Sequence, residues 1–435
     1  MKITHFLIVF VLVSNIAQRA QAQTVGSNPI SITLENAEQT MRQQHLQLRL
    51  KEGDVKKAES ELKQSRLWEN PQVSFQHNVY NPITKKYFDT GHEGETDIQI
   101  EQPIAIGGQH NAKVRKQKAL AESQHAQLKD AERELIGQLD ALMFDLYFTQ
   151  LKQTIYNKEI ASTEKILNTY RQQMKKGNIP AIEVQRIEAM RFGLLQEQNE
   201  LIITEQDMQR QLRLMLNDDN ESYYKPLINE KAIKEQINYM YDNNEVLLMA
   251  STRPDIVSLR HEIKASEHEV KLQKAQALPQ LSITGEWDKN GSICHNFFGI
   301  GFSVTIPLLN RNQGSIKSAK AELLQSQLSL EMKQLETKAE INKLTRQIIT
   351  NHRLSDEADK SIGNNADNII SETEQQFLKH NISLLEFIDI YESYKDAYLA
   401  RIDAHNNLMQ SAVELNTAVG KDIINLRFCP TSTRK

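Results

Sequence analysis

Glycine and proline are scarce in this 435-residue chain, 16 and 10 residues, together roughly half the usual share. Few breakers mean few turns, so the structural elements must be long. Two cysteines are too few for a disulfide framework or a cysteine-based zinc site. Neither sign of charge prevails: 52 basic residues against 56 acidic ones leave a net charge of −4, which gives no electrostatic ground for binding nucleic acid. Hydrophobic residues make up 39% of the chain and mean hydropathy is −0.54, which excludes a bundle of transmembrane helices.

One apolar run stands near the N-terminus, Phe6 to Val13, preceded by Lys2 and followed by the small-x-small site Ala20-Gln21-Ala22. It is too short to span a bilayer and reads as a secretory signal over residues 1–22, with Gln23 as the new N-terminus. A buried strand of a cytoplasmic protein is the alternative. No cysteine stands near the cleavage site, so a lipoprotein signal is not expected.

The chain repeats itself. Pro71-Gln72-Val73-Ser74-Phe75 is echoed by Pro279-Gln280-Leu281-Ser282-Ile283, Gln102-Pro103-Ile104 by Ile306-Pro307-Leu308, and Gln172 to Ile179 by Gln375 to Ile382. The offsets are 208, 204 and 203, so this is one duplication with small loop changes. A period near 200 residues lies far above solenoid repeats of roughly 20–50. Each half is therefore a structural unit: residues 23–217 and 254–419, joined by a linker at 218–253 and followed by a peripheral tail at 420–435.

Each half holds two runs that alternate apolar and polar residues, at about 72–80 and 96–104, then about 280–288 and 298–306. The clearest is Phe298, Ile300, Phe302, Val304, Ile306, with Gly299, Gly301, Ser303 and Thr305 between. Period two with one apolar face is a half-buried strand. The runs have the length a tilted strand needs to cross a bilayer. Their second face is polar or tiny, as a water-filled lumen requires. A four-stranded sheet on a soluble core is the alternative. Four strands cannot close a membrane barrel, for which about eight are the minimum, so a barrel requires several chains.

The rest reads as helix with coiled-coil spacing. Leu128, Ala131, Leu135, Leu139, Leu142 and Leu146 step by three or four, and Leu194, Leu201, Met208 and Met215 by seven. In the second half Ile341, Leu344, Ile348, then Ala358, Ile362, Ala366, Ile369 continue the pattern. Gly108 to Lys176 and Gln313 to Lys379 are proline-free and predict one very long helix per half, about 100 Å at 1.5 Å per residue. Shorter helices are expected over 32–69, 180–217, 254–278 and 384–419. The fold class is mainly α with a small β part.

At this point the sequence resembles the TolC family of outer-membrane efflux proteins over nearly the whole mature chain. Asn70-Pro71-Gln72-Val73-Ser74 resembles the start of the family's first strand, and Glu101-Gln102-Pro103-Ile104 with Gly107-Gly108-Gln109 its strand-to-helix junction. The second junction, Ile306-Pro307-Leu308-Leu309-Asn310-Arg311-Asn312-Gln313-Gly314, is most similar to the heavy-metal branch, of the CusC and CzcC type. The resemblance implies a homotrimer in the outer membrane of a Gram-negative bacterium. Its twelve strands would form one barrel in outer-membrane lipid, and its helices a periplasmic tunnel. It also implies a periplasmic membrane-fusion adaptor and an inner-membrane pump of the RND class as partners.

The resemblance places the adaptor contact at two helix–helix turns: Lys176, Gly177, Asn178 and Ile179, then Lys379, His380, Asn381 and Ile382. Glu386 and Asp389 match acids that line the family's tunnel mouth, with Glu183 the first-half counterpart of Glu386. The plainer reading of these acids is that they complement a helix dipole. Phe377 and Ile382 stand where some relatives carry a polar tyrosine–arginine latch, which puts that latch in doubt.

No catalytic constellation is found, and neither a cofactor nor a metal site is expected. His261-Glu262 and His268-Glu269 recur seven apart, whereas a zincin needs histidines four apart with glutamate between. His77, His92 and His295 are scattered near the external hairpins. No phosphate loop is present, so energy must come from a partner. The expected function is a passive exit duct, for metal ions first and for drugs, dyes or secreted proteins as an alternative. A periplasmic coiled-coil scaffold or adaptor is the alternative of another class. The topology puts Cys294 outside the cell and Cys429 on the periplasmic side, so both are expected to be free thiols.

Overall fold

The computed structural model describes residues 29–237, 242–290, 294–363, 366–379 and 381–428. The expected signal segment, His380 and Cys429 lie outside the described residues. The chain begins with β1 (Ile30–Ile32), α1 (Leu34–Gln44), α2 (Leu46–Ser65) and β2 (Gln72–His77). A small hairpin, β3 (Tyr80–Asn81) and β4 (Lys86–Tyr87), leads into β5 (Thr96–Ile104), α3 (Gln109–Lys175) and α4 (Ala181–Leu216). The segment between the halves holds β6 (Tyr224–Pro226), α5 (Glu230–Lys234) and α6 (Asn243–Ala250). The second half runs α7 (Pro254–Gln276), β7 (Gln280–Asn290), β8 (His295–Thr305), α8 (Gln313–Ile362), α9 (Ala366–Leu378) and α10 (Leu384–Val419).

The four long strands form one antiparallel sheet in the order β2-β5-β7-β8. The register carries the alternation across the sheet. Phe75 stands opposite Ile98, Ile98 opposite Trp287, and Trp287 opposite Phe298, while Ile100 and Ile300 flank Gly285. The other face runs Ser74, Gln99, Glu286, Gly299, with Gln76, Asp97, Asp288 and the apolar Phe297 in the next row. The apolar face is open: Ile300 is 91% exposed and Phe302 79%. Among the described residues, both edge strands, β2 and β8, are unpaired on their outer sides.

The helices repeat the order of the strands. α2 packs on α3, α3 on α7 and α7 on α8, a single open layer continuous with the sheet. Farther from the sheet, α3 pairs with α4 and α10, and α10 with α8 and α9. At Gly137 an added Cβ would lie 2.3 Å from the Thr417 hydroxyl, so the missing side chain lets α3 and α10 touch. Two hydrophobic clusters result. One, around Leu139, Phe144, Ile341 and Leu408, joins both halves to the middle segment. The other, around Ile166, Ile187, Phe377 and Phe387, lies near the two helix–helix turns.

The structure corrects several expectations. The helix expected over 32–69 is two, broken at His45, whose backbone is extended (φ −63°, ψ 123°). The long helix expected over 313–379 ends at Ile362, because Gly363 adopts φ 57°, ψ −170°, a region essentially closed to other residues. Ala358 and Ile362 are not its buried positions; His352 and Ser355 are. β2 ends at His77 rather than near 80, where the chain turns into β3 and β4. β1 pairs with β6 in parallel, tying the N-terminal arm to the segment between the halves. The tail is not wholly peripheral: Ile424 and Leu426 are buried in the larger cluster, and Arg427 pairs with the buried Glu38 at 2.8 Å.

Candidate functional site

Two kinds of position are built twice, the strand-to-helix junctions and the helix–helix turns. At the first junction Pro103 lies in β5 opposite Ser282, beyond Glu101, the last residue that β2 pairs. Its missing N–H therefore falls outside the β2–β5 ladder. The Gln102 side-chain amide donates to the carbonyls of Glu69 (3.1 Å) and Pro103 (3.0 Å). Gly107 approaches the end of α7 so closely that a Cβ would stand 3.0 Å from Leu278 Cδ1. Gly108 caps α3 with a left-handed backbone, φ 76°. At the second junction Pro307 follows β8, and Asn312 caps α8 in the same left-handed region, φ 56°. Asparagine tolerates this conformation better than most residues.

Both junctions are fastened to one helix end. Gln109 Nε2 donates to the carbonyl of Ala275 (3.1 Å), and Asn312 Nδ2 donates to the carbonyl and side chain of Gln273 (2.9 and 2.7 Å). Asn310 Oδ1 accepts from the Asn312 N–H at 3.1 Å. Gly314 sits in the first turn of α8 with open space around it.

The turns match in detail. After α3 the Asn178 N–H donates to the carbonyl of Gln173 (3.0 Å), the Gly177 N–H to that of Met174 (2.9 Å), and Gly177 takes φ 78°. This is a Schellman closure, which satisfies the last carbonyls of a helix. After α9 the Asn381 N–H donates to the carbonyl of Gln376 at 3.0 Å. Each asparagine side chain also donates to the glutamine five residues back: Asn178 to Gln173 (2.8 Å) and Asn381 to Gln376 (2.6 Å). Lys176, Gly177, Asn178, Lys379 and Asn381 are exposed, while Ile179 and Ile382 pack against the same cluster. The two turns therefore stand side by side at one end of the helices.

The helices that leave the turns begin differently. Ser383 and Glu386 form a reciprocal capping box at the start of α10, the Glu386 carboxylate accepting from the Ser383 N–H and hydroxyl at 2.8 Å each. The Ser383 N–H, then its hydroxyl, hold Glu386 below the usual carboxylate range. In the first half Pro180 occupies the cap position and Glu183 has no serine to bond. Burial pushes the Tyr170 hydroxyl up to about 12, and the charge of Glu183 adds to it. Asp389 is exposed one turn into α10.

Sequence reasoning missed what fills the space between the turns. Phe377 stacks between Tyr170 (centroids 5.1 Å, 11°) and Phe387 (4.4 Å, 17°), and Phe387 continues to Tyr391. Aromatic packing thus fills the space between the two turns. The four-residue step from Phe387 to Tyr391 was the available signal. Also missed was a charged cleft of about 780 Å³ beside the middle segment. There Asp359 accepts from Lys234 (2.6 Å), Arg401 (2.8 Å) and His405 (3.0 Å), while the other ring nitrogen of His405 faces Glu230. Burial lowers the pKa of His405, and the two carboxylates at its nitrogens pull the other way, since a neutral imidazole has only one N–H. The cluster ties α5 to α8 and α10.

Among the described residues, no helix is long and apolar enough to cross a membrane. The comparisons agree on what the sheet and helices resemble. The family profile described as outer membrane efflux protein matches residues 38–217 and 248–421. No curated protein matches the sequence. Among solved structures, the CmeC outer membrane channel of Campylobacter jejuni is 15% identical, covers 90% of this chain and 87% of its own, with a TM-score of 0.74. The outer membrane protein VceC of Vibrio cholerae is 14% identical over 89% and 96%, TM-score 0.73. CusC is 13% identical over 92% and 96%, TM-score 0.73. At these identities the likeness is one of fold. The profile is that of an efflux protein, so the scaffold or adaptor alternative lapses.

Proposed function

The chain belongs to the outer membrane efflux protein family, and from that premise we propose that it is the exit duct of a tripartite pump for metal cations, working as a homotrimer. It is an outer-membrane channel protein with a periplasmic helical tunnel, and it performs no chemistry of its own. The observation that carries the proposal is the open-edged sheet, mainly apolar on one face, where Gln102 and Gly285 interrupt it, and mainly polar or glycine-lined on the other, where Phe297 is the large apolar residue of β8. Three copies joined β2 to β8 would close twelve strands with no edge left. The apolar face would then meet lipid and the polar face line a water-filled lumen.

The helix layer has the same need. α8 exposes Leu324, Leu328, Met332 and Leu335 along one side, and α2 exposes Leu46 and Leu50 at the opposite edge of the layer. A neighbouring copy that pairs the sheets would bring these edges together. The paired turns supply a firm tip for an adaptor: Lys176, Gly177, Asn178 and Ile179 beside Lys379, Asn381 and Ile382. Glu386 and Asp389, repeated three times, would set a ring of carboxylates at the mouth, which favours cations. The cation reading rests on these acids and on the junction Asn310-Arg311-Asn312-Gln313-Gly314, with its left-handed Asn312 cap.

A strain lacking the gene should become sensitive to zinc, copper or silver salts and regain tolerance with the wild-type gene. Gly177→Trp with Asn381→Trp should restore the heat-modifiable trimer in outer-membrane fractions without restoring tolerance. Sensitivity to dyes and drugs alone would replace the cation reading with a drug duct. Normal tolerance in the tip variant would overturn the adaptor site.

A further inference from the structure

The small hairpin β3–β4 is attached to the apolar side of the sheet. Phe75 of β2 stands on the apolar face, 67% exposed. Two residues on, on the same face, the His77 ring stacks with Phe75 (6.5 Å, 13°) and with Phe88 (6.3 Å, 7°). Phe88 directly follows β4, and its N–H donates to the carbonyl of Val79 at 2.9 Å. The three rings run from the apolar band past its outer end and bring the hairpin over the same face.

The hairpin has two unlike sides. Its polar side is knitted inward: Asn81 Nδ2 donates to the carbonyl of Glu93 (2.5 Å), Thr84 bonds Asp89, and Lys289 from the β7 end donates to the carbonyls of Thr90 and Gly91 (2.7 and 2.9 Å). Its other side offers Tyr80 and Tyr87, rings 5.0 Å apart, with Ile83 and Phe88, all exposed. Lys85, between the two strands, is exposed, and so is Lys86, which pairs with Asn81 on the polar face near Asp89. Lys85 and Phe88 both hold left-handed backbones, φ 61° and 47°, which disfavour residues that carry a Cβ. Strain of this kind persists where surrounding structure enforces it, and it clusters at ligand-contacting positions.

Aromatic rings just past an outward apolar band sit at the headgroup level of a bilayer. Exposed ammonium groups at that level complement phosphates. Because the helices run into the periplasm, this end of the sheet opens to the cell exterior. We propose that the β3–β4 hairpin is a docking site for the phosphorylated glycolipid of the outer leaflet, with Lys85 and Lys86 on its phosphates and Tyr80, Ile83, Tyr87 and Phe88 against its sugars and upper acyl chains. The proposal rests on the outer-membrane location and goes beyond the duct.

The test uses the full-length trimer extracted from membranes, with bisphosphorylated lipid A and phosphatidylglycerol as probes and native mass spectrometry as the readout. Wild type should retain lipid A at least about tenfold more tightly than Lys85→Glu with Lys86→Glu, since each lysine near an anionic surface contributes several-fold. Dephosphorylated lipid A should show little difference between the two proteins. Phe88→Ser with Tyr87→Ser should weaken both lipid A forms. Equal retention of lipid A by wild type and the charge variant overturns the site. So does a variant whose trimer falls apart on mild heating while each remaining trimer holds lipid as before, for the hairpin would then be a contact between copies. A phosphatidylglycerol response equal to that of lipid A overturns the glycolipid assignment. Absence of the wild-type protein from outer-membrane fractions would instead refute the location on which the proposal rests.

Discussion

α3 and α8 leave the sheet from matching junctions, with Gly108 and Asn312 in the same left-handed cap, yet they lead opposite lives. α3 buries residues along its whole length, from Ala112 to Tyr170, and packs on α2, α4, α7 and α10. α8 buries Ala319 and then nothing until Thr337, and between them it exposes Leu324, Leu328, Met332 and Leu335. Duplication supplied two copies of one plan. Packing made one an interior spine and left the other as an edge. The two turns escaped this divergence, for Gln173–Asn178 and Gln376–Asn381 keep the same bonds. The bonds of the turns are thus shared between the halves, while burial, the break at Gly363 and the start of the following helix separate them.

The largest expected effect tests the edge. Gln at Leu324, Leu328, Met332 and Leu335 together should abolish the heat-stable trimer on gels while far-ultraviolet circular dichroism stays helical. The same change at Leu139, Met143 and Leu146 of α3 should unfold the chain outright, since these are fully buried. Full trimer from the α8 variant would mean that this stripe is not a joint.

A smaller effect tests the interior. α3 buries Glu159, and neither of its carboxylate oxygens has a hydrogen-bond partner among the described residues, whereas no acid of α8 is buried. Burial raises Glu159 from the ordinary 4.5 to about 7, with Lys395 opposing. The folded chain therefore binds this proton more tightly than the unfolded one. Stability should be greatest below about pH 4.5 as far as this group is concerned, fall as pH rises toward 7, and level off above. The whole swing is on the order of 3 kcal/mol. Glu159→Gln should flatten the decline and raise the melting temperature at pH 8; parallel pH curves for the two proteins would reject this account.

The smallest effect tests what the halves share. Asn178→Ala and Asn381→Ala each remove one exposed side-chain bond, and each should cost about 0.5–1 kcal/mol. Equal losses in chemical denaturation would confirm that the turns remain equivalent. A loss confined to one would show that the halves have diverged here too.

Much of this was legible in the sequence, for physical reasons. Alternation in Phe298 to Val304 and scarcity of proline over 108–176 reflect long-range burial and helix continuity, and both survive as patterns. The pairing of β1 with β6 was not legible, because three-residue parallel strands carry no period. The break at Gly363 hid in a polar stretch, where one glycine does not reveal its φ. The turn residues were found by repetition, yet the stack of Phe377 on Tyr170 and Phe387 joins residues distant in sequence that only the fold brings together. Glu386 was noticed for its charge, but its bonds to Ser383 depend on cap geometry, which a Ser-x-x-Glu spacing can suggest but not complete.

The two bare sheet edges also constrain the order of events during biogenesis. A lone chain that entered hydrocarbon would strand the N–H and C=O groups along β2 and β8 without partners, at several kcal/mol for each such group. If copies of the chain close the barrel together as proposed, insertion waits for association. The rate at which the protein reaches the membrane is then governed by encounters among chains and rises more steeply than in proportion to their supply. Until those encounters occur, each chain travels through the periplasm with a sticky template on either side, and its survival there depends on how long the wait lasts.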